Sequence, residues 1–264
     1  MRYCRFEVDG VKRYGLVEGA PGAETITRGL DAMPRSRDDF AAAAPLEIPL
    51  AKVRLLAPSE PSKIVCIGRN YSEHAKELNH PIPSEPLIFL KPPSSLNHPD
   101  GEVRRPNHLS QRVDYEGELG VVIGKRCYRL GESDDVRPYI FGYTCLNDVT
   151  ARDLQSKDGQ WSRAKGFDTF CCVGPFVVDD IDPWKGVNIE TRLNGSIRQS
   201  GTTLDFLFPL DVVMRFISQV MTLEPGDLIA TGTPSGVGPM QPGDVVEVSV
   251  EGIGTLRNFV VNLA

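Results

Sequence analysis

The 264-residue chain has no apolar run approaching the ~20 residues that a membrane-spanning helix needs. Its opening, MRYCRFEVDG, is charged from the second position and holds no apolar stretch, which excludes an ordinary secretory signal. The six cysteines (Cys4, Cys66, Cys127, Cys145, Cys171 and Cys172) form no Cys-x-x-Cys pair, and four lie in apolar, strand-like runs. Buried free thiols are therefore expected rather than a disulfide scaffold. A basic surplus is missing too: 29 Lys and Arg face 35 Asp and Glu, giving a net charge of -6. That balance excludes the basic face a nucleic-acid partner needs. It leaves small anionic substrates open, because a cationic pocket can sit in an acidic protein. No internal repeat, heptad or low-complexity tail is visible. A cytoplasmic protein with no membrane partner is the expectation that remains.

What is present suits a globular protein. Hydrophobic residues make up 41% of the chain, enough at this length for a core without disulfides. The first sixty residues differ in texture from the rest. RYCRFEV and KRYGLVEG flank Asp9-Gly10 and read as a hairpin. Pro58 and Pro61 mark a boundary, so a small N-terminal domain is expected over 1–60 and a main domain over 61–264. The main domain is dominated by short runs rich in β-branched and aromatic residues, among them KIVCIG, PLIFLK, GELGVVIG, YIFGYTCLNDV, PFVVD, DLIATG, DVVEVSV and TLRNFVVN. Pro225-Gly226-Asp227 and Pro242-Gly243-Asp244 each launch a strand. One clear helix is expected in DVVMRFISQVMTL, with Val212, Val213, Phe216, Ile217, Val220 and Met221 on one face and Pro225-Gly226 as its stop. A shorter one should begin after Asn70. The fold class is α+β and mostly β.

The sharpest local signal is Asp114-Tyr115-Glu116-Gly117-Glu118. On a strand, alternate side chains share a face, so Asp114, Glu116 and Glu118 would project together. Like charges on one face repel unless a cation sits among them. Hard divalent ions suit such oxygen donors. Asp148 ends another apolar run, at the mouth of a core. Without a cation, the same pattern describes a solvated strand face.

In GRNYSEHAKE, Asn70 can cap a helix, with Glu73 three residues on as in a capping box. His74 and Glu77 then meet at i, i+3. A carboxylate beside an imidazole fixes its tautomer and orients it as a base. Lys165 lies between Trp161 and Phe167, a partly apolar setting for a compact cation. TGTPSGVG (231–238) is no phosphate loop, since no Gly-Lys-Ser/Thr follows; its glycines let backbone amides approach a ligand. Lys91 and Ser94-Ser95 are looser candidates for the same cavity. His80, His98 and His108 lie in Pro/Asn-rich loops with no evident role.

Taken in order, IGRNYSEHAKE, IFLKPPSSL, DYEGELGVVIGK, FGYTCLNDVTARDLQ, WSRAKGFDTF, GPFVV and DLIATGTPSGVG resemble the fumarylacetoacetate hydrolase superfamily over residues 61–264. The branch is that of acylpyruvases and oxaloacetate decarboxylases. The resemblance implies a mixed β-sheet roll with a variable N-terminal appendage, and a homodimer. It implies magnesium, with manganese as the alternative, on Glu116, Glu118 and Asp148. It also implies a water-activating His74–Glu77 pair on a lid, catalytic Lys165 and Gln155, and substrate contacts from Arg152, Thr233 and Gly232. The activity implied first is hydrolysis of a carbon–carbon bond in a 1,3-diketo acid of the acylpyruvate or fumarylpyruvate type, through an enolate held at the metal. Decarboxylation of oxaloacetate or of 5-oxopent-3-ene-1,2,5-tricarboxylate, and isomerisation of 2-hydroxyhepta-2,4-diene-1,7-dioate, would use the same enolate. Outside enzymes, the reading to set against these is a non-catalytic ligand-binding module.

Overall fold

The computed structural model describes residues 1–77 and 81–263. Strands dominate it. Ten run side by side in one large sheet, with two short strands branching off, beside a five-stranded and a three-stranded sheet. Among the described residues no helix is long and apolar enough to cross a membrane.

The N-terminal hairpin forms as its turn residues dictate. Arg2–Val8 pairs with Val11–Glu18, and Asp9 and Gly10 both take the positive φ that a two-residue turn requires. Arg2–Val8 also pairs with Cys171–Val178, so the N-terminal strands extend the large sheet. The two Pro-Gly-Asp turns share one device. Asp227 and Asp244 each accept the amide three residues back and donate their own amide to the same residue's carbonyl. The last two strands, Val245–Val250 and Gly254–Asn262, pair as a hairpin, as the sequence predicts. All six cysteines are free and buried, and burial pushes every thiol above its ordinary value, Cys172 to about 12.

Three local expectations are corrected. The long helix spans Leu210–Val220 and buries Leu210, Val213, Met214, Ile217 and Ser218, while Val212 and Val220 face outward. Its inner stripe thus begins at Leu210, one register away from the expected face. It also ends before Pro225, with the Met221 amide donating to the Ile217 carbonyl. The short helix spans Ser72–Glu77, but Asn70 is no capping-box partner of Glu73. Asn70 donates to the Thr231 and Phe208 carbonyls and accepts the Phe208 amide, while Glu73 pairs with Lys76. A tertiary network outcompetes the local cap at Asn70. His80 lies outside the described residues.

The sheet order gathers the chemistry at one end. Gly117–Ile123 pairs antiparallel with Ile140–Asp148, Gly117 opposite Asn147, so the start of one strand meets the end of the other. Leu228–Ala230 runs antiparallel to Gly117–Ile123 and parallel to Ile64–Gly68. Both of these strands therefore end where Gly117–Ile123 begins. They deliver the Thr231 loop and Arg69 to the same place.

Candidate active site

Alternation along Gly117–Ile123 is as the sequence predicts. Leu119, Val121 and Ile123 enter one core cluster, and Val122 enters the other. Asp114 departs from the expectation. Its strand, Val113–Tyr115, belongs to the three-stranded sheet, and the chain leaves regular pairing at Glu116. Asp114 instead accepts from Arg152 Nε at 3.0 Å and from Arg112 Nε at 3.0 Å. The carboxylates that converge are Glu116, Glu118 and Asp148, whose nearest oxygens all lie within 4.8 Å of one another, all three buried. The backbone fixes them: the Asp148 amide donates to the Glu116 carbonyl at 2.8 Å, and the Glu116 amide donates to Asn147 Oδ1 at 2.9 Å.

Three cations manage this charge. Lys165 Nζ bridges Glu116 at 2.7 Å and Asp148 at 2.6 Å. Lys91 Nζ donates to Asp148 at 2.5 Å and to the Val149 carbonyl at 3.2 Å. Arg152 donates to Glu116. Burial alone would raise the Glu116 carboxyl, but Lys165 and Arg152 hold it well below the usual carboxylate range. Glu118 has the Gly232 amide at 2.7 Å as its hydrogen-bond donor. Burial, then the charges of Asp148 and Glu116, push its carboxyl well up. Burial would lower the Lys165 ammonium, yet Asp148 and Glu116 together raise it.

A narrow cleft lies over this cluster, and His74, Gln155, Lys165 and Thr233 line it. His74 is buried, and its Nδ1 stands 3.4 Å from Glu77 Oε2. Phe89 and Trp161 form one wall, edge to face at 5.1 Å, with Lys165 Nζ 5.0 Å from the Phe89 ring. Of the expected residues, His74, Glu116, Glu118, Asp148, Arg152, Gln155, Lys165 and Thr233 line this cleft while Glu77 and Gly232 stand behind its lining, and several have their polar atoms engaged. Arg152 is held by Asp114, Glu116 and Gln155, the last at 2.6 Å, so it braces the cluster instead of offering an open clamp. The Gly232 amide serves Glu118, and the Thr233 hydroxyl donates to the Gly117 carbonyl at 2.8 Å. Lys91 sits behind Asp148. Ser94 is exposed, and Ser95 bonds the Pro92 carbonyl.

Sequence reasoning missed Gln199. Fully buried, it accepts the Gly117 amide at 2.9 Å and donates to Thr233 at 2.7 Å and to the Pro234 carbonyl at 2.8 Å. It stitches the Glu-Gly-Glu segment to the glycine-rich loop. SIRQSGT carries no motif that would have singled it out. Arg69 was missed as well, although its segment was noted.

The donor set suits a hard divalent cation: three clustered carboxylates, with oxygen the only ligand type and one member short of positive partners.

The fumarylacetoacetate (FAA) hydrolase C-terminal family matches residues 63–261, and an Rv2993c-like N-terminal family matches residues 1–58. The chain is 42% identical over 222 residues to oxaloacetate tautomerase YisK of Bacillus subtilis, covering 79% of this chain and 73% of that protein. It is 38% identical over 280 residues to 2,4-didehydro-3-deoxy-L-rhamnonate hydrolase of a Sphingomonas species, covering 98% and 96%. The crystal structure of 2-hydroxyhepta-2,4-diene-1,7-dioate isomerase from Mycobacterium marinum superimposes with a TM-score of 0.87 at 42% identity, over 99% of this chain and 98% of that one. By sequence and by fold, this chain belongs to the fumarylacetoacetate hydrolase family.

Proposed function

We propose that this chain is a divalent-metal-dependent enzyme that forms and quenches the enolate of a 2-oxo acid, with hydrolysis of a carbon–carbon bond in a 1,3-diketo acid as its reaction. The observation that carries the reading is one cleft in which His74, backed by Glu77, faces the carboxylate cluster and Lys165. Magnesium or manganese on Glu116, Glu118 and Asp148 would supply a Lewis acid for the 2-oxo group. Lys165 adds a fixed positive charge where an enolate oxygen develops, in a buried setting where that charge is weakly screened. His74 takes a proton from water, and Glu77 holds the ring. The water oxygen bonds to the distal carbonyl carbon. The bond from that carbon to C3 breaks, and its electron pair becomes the enolate of the 2-oxo acid. His74 returns a proton to C3. Gln155, with its Oε1 held by Arg152, lines the same cleft.

A second reading moves a proton without cleavage, as in tautomerisation or isomerisation of a 2-oxo dicarboxylate. The names of two relatives at 42% identity favour it. Decarboxylation of a β-keto acid would use the same enolate. Turnover of acylpyruvates, oxaloacetate and hydroxy-diene-dioates with magnesium separates them by product: pyruvate plus a carboxylate, a shifted enol absorbance, or carbon dioxide. His74→Ala should reduce hydrolysis by about 10²- to 10⁴-fold and spare most of any decarboxylation, which needs no activated water. Turnover that survives a chelator would overturn the metal-dependent reading. A chain that turns over none of the panel would be a binding module instead.

A further inference from the structure

We infer that Arg69 binds the second carboxylate of the substrate, so that the cleft selects 2-oxo dicarboxylic acids over monocarboxylic ones. This rests on the keto-acid reading above and names the class within it. Three permanently cationic groups line the cleft: Arg69, Arg152 and Lys165. Arg152 is held by Asp114, Glu116 and Gln155, and Lys165 by Glu116 and Asp148. Among the described residues, Arg69 alone of the three has no ion pair or hydrogen bond, and its Nε is buried without a partner. Water can solvate the outer nitrogens of a half-buried arginine, but it leaves that inner N–H unexplained. A carboxylate meets a guanidinium fork through two parallel bonds, one of which can use Nε.

The backbone presents the side chain deliberately. Arg69 has φ +58°, a left-handed conformation that an ordinary residue adopts only at a cost. Such strain persists where neighbours over-determine it, and it gathers at ligand sites. Both neighbours do so here. A Cβ on Gly68 would come within 2.6 Å of the Trp161 ring, so Gly68 is packed flush against it. Asn70 is tied to Thr231 and Phe208. The Arg69 guanidinium carbon lies 5.8 Å from the Trp161 ring centroid, which steadies the fork against the cleft wall.

The test uses the magnesium-loaded protein with Arg69→Met and Arg69→Lys, and two four-carbon ligands, oxaloacetate and 2-oxobutanoate. Affinity for both ligands is read by calorimetry, and turnover of oxaloacetate as a KM-against-kcat split. Wild type should prefer oxaloacetate, and Arg69→Met should cut that preference in affinity by about 10- to 100-fold, the range for a lost charged hydrogen bond, with oxaloacetate turnover losing through KM and not kcat. Arg69→Lys should retain part of it. Melting temperatures should move little, because among the described residues the side chain makes no ion pair or hydrogen bond and loses only its packing on Trp161. A preference unchanged in Arg69→Met, or equal losses for both ligands, overturns this inference while leaving the keto-acid function standing. Wild type that binds neither ligand overturns this inference, and if it also turns over none of the keto-acid panel above, the function falls with it.

Discussion

The amide of Gly236 donates to both carboxylate oxygens of Glu77, at 3.0 and 3.2 Å, and so ties the His74 helix to the glycine-rich loop. Gly236 has φ +101°, and a Cβ there would lie 2.0 Å from the Arg198 carbonyl oxygen. Gly236→Ala must therefore shift the loop, at a cost of about 1–3 kcal/mol. Glu77→Gln is the gentler probe. It keeps an acceptor for the amide but removes the charge beside His74. We expect kcat to fall at least ~10-fold with the melting temperature unchanged. A Glu77→Gln enzyme with wild-type kcat would remove Glu77 from the chemistry.

Lys91 and Asp148 form a pair that is almost wholly withdrawn from water, with the ammonium 2.5 Å from the carboxylate. Without Lys91, Asp148 keeps only the Lys165 ammonium, which it shares with Glu116, so part of the buried negative charge goes uncompensated. Lys91→Met should cost about 3–5 kcal/mol in urea unfolding, and adding Asp148→Asn should recover part of it. If Lys91→Met unfolds at the wild-type midpoint, the pair is not what holds Asp148.

Those two residues also show what was legible in the sequence. Asp148 could be found because a carboxylate ended an apolar run, and Glu116 and Glu118 because alternation put two like charges on one face. Periodicity is local, so it survives translation into structure. Asp114 obeyed the same alternation and was still misplaced, because the chain changes sheets at Glu116, an event with no local signature. Asn70 looks like a cap in the sequence for the same reason: its true partners, Thr231 and Phe208, are more than a hundred residues away. Gln199 and Arg69 lie beyond pattern reading altogether, and Lys91, a loose cavity candidate in the sequence, has no pattern that marks it as the partner of Asp148. Lys91 and Gln199 draw their roles from what they bond, and Arg69 from what it leaves unbonded.

Glu118 is pushed up by burial and by the charges of Asp148 and Glu116, so removing its charge should not destabilise the metal-free protein. Glu118→Gln keeps an acceptor for the Gly232 amide. We expect its metal-free melting temperature to match or exceed that of wild type. Magnesium at 100 times its Kd should stabilise wild type by about 2.7 kcal/mol and the variant by less than ~1 kcal/mol on the same relation. The check is a pair of thermal melts with and without the ion. A wild-type melt indifferent to magnesium and manganese alike would mean the three carboxylates hold neither.

Asp179 supplies a pH test away from the site. Its carboxylate accepts from the Met1 ammonium at 2.6 Å and from Arg37 Nε and Nη2, each at 2.6 Å. Burial acts to raise the carboxyl, but the bonds to Arg37 and to the amino terminus outweigh it and hold it low. A carboxylate depressed on folding stabilises the fold fully above its unfolded value of about 3.9. That contribution fades as the pH falls toward the folded value, because the folded protein must then take up a proton it resists. Asp179→Asn should therefore be less stable than wild type by a constant margin above about pH 5, and the margin should shrink below about pH 4. Urea midpoints of both proteins between about pH 3 and pH 7 read the difference. A gap that stays the same across that range would mean the Asp179 charge does not fasten the N-terminal strand to the end of Cys171–Val178.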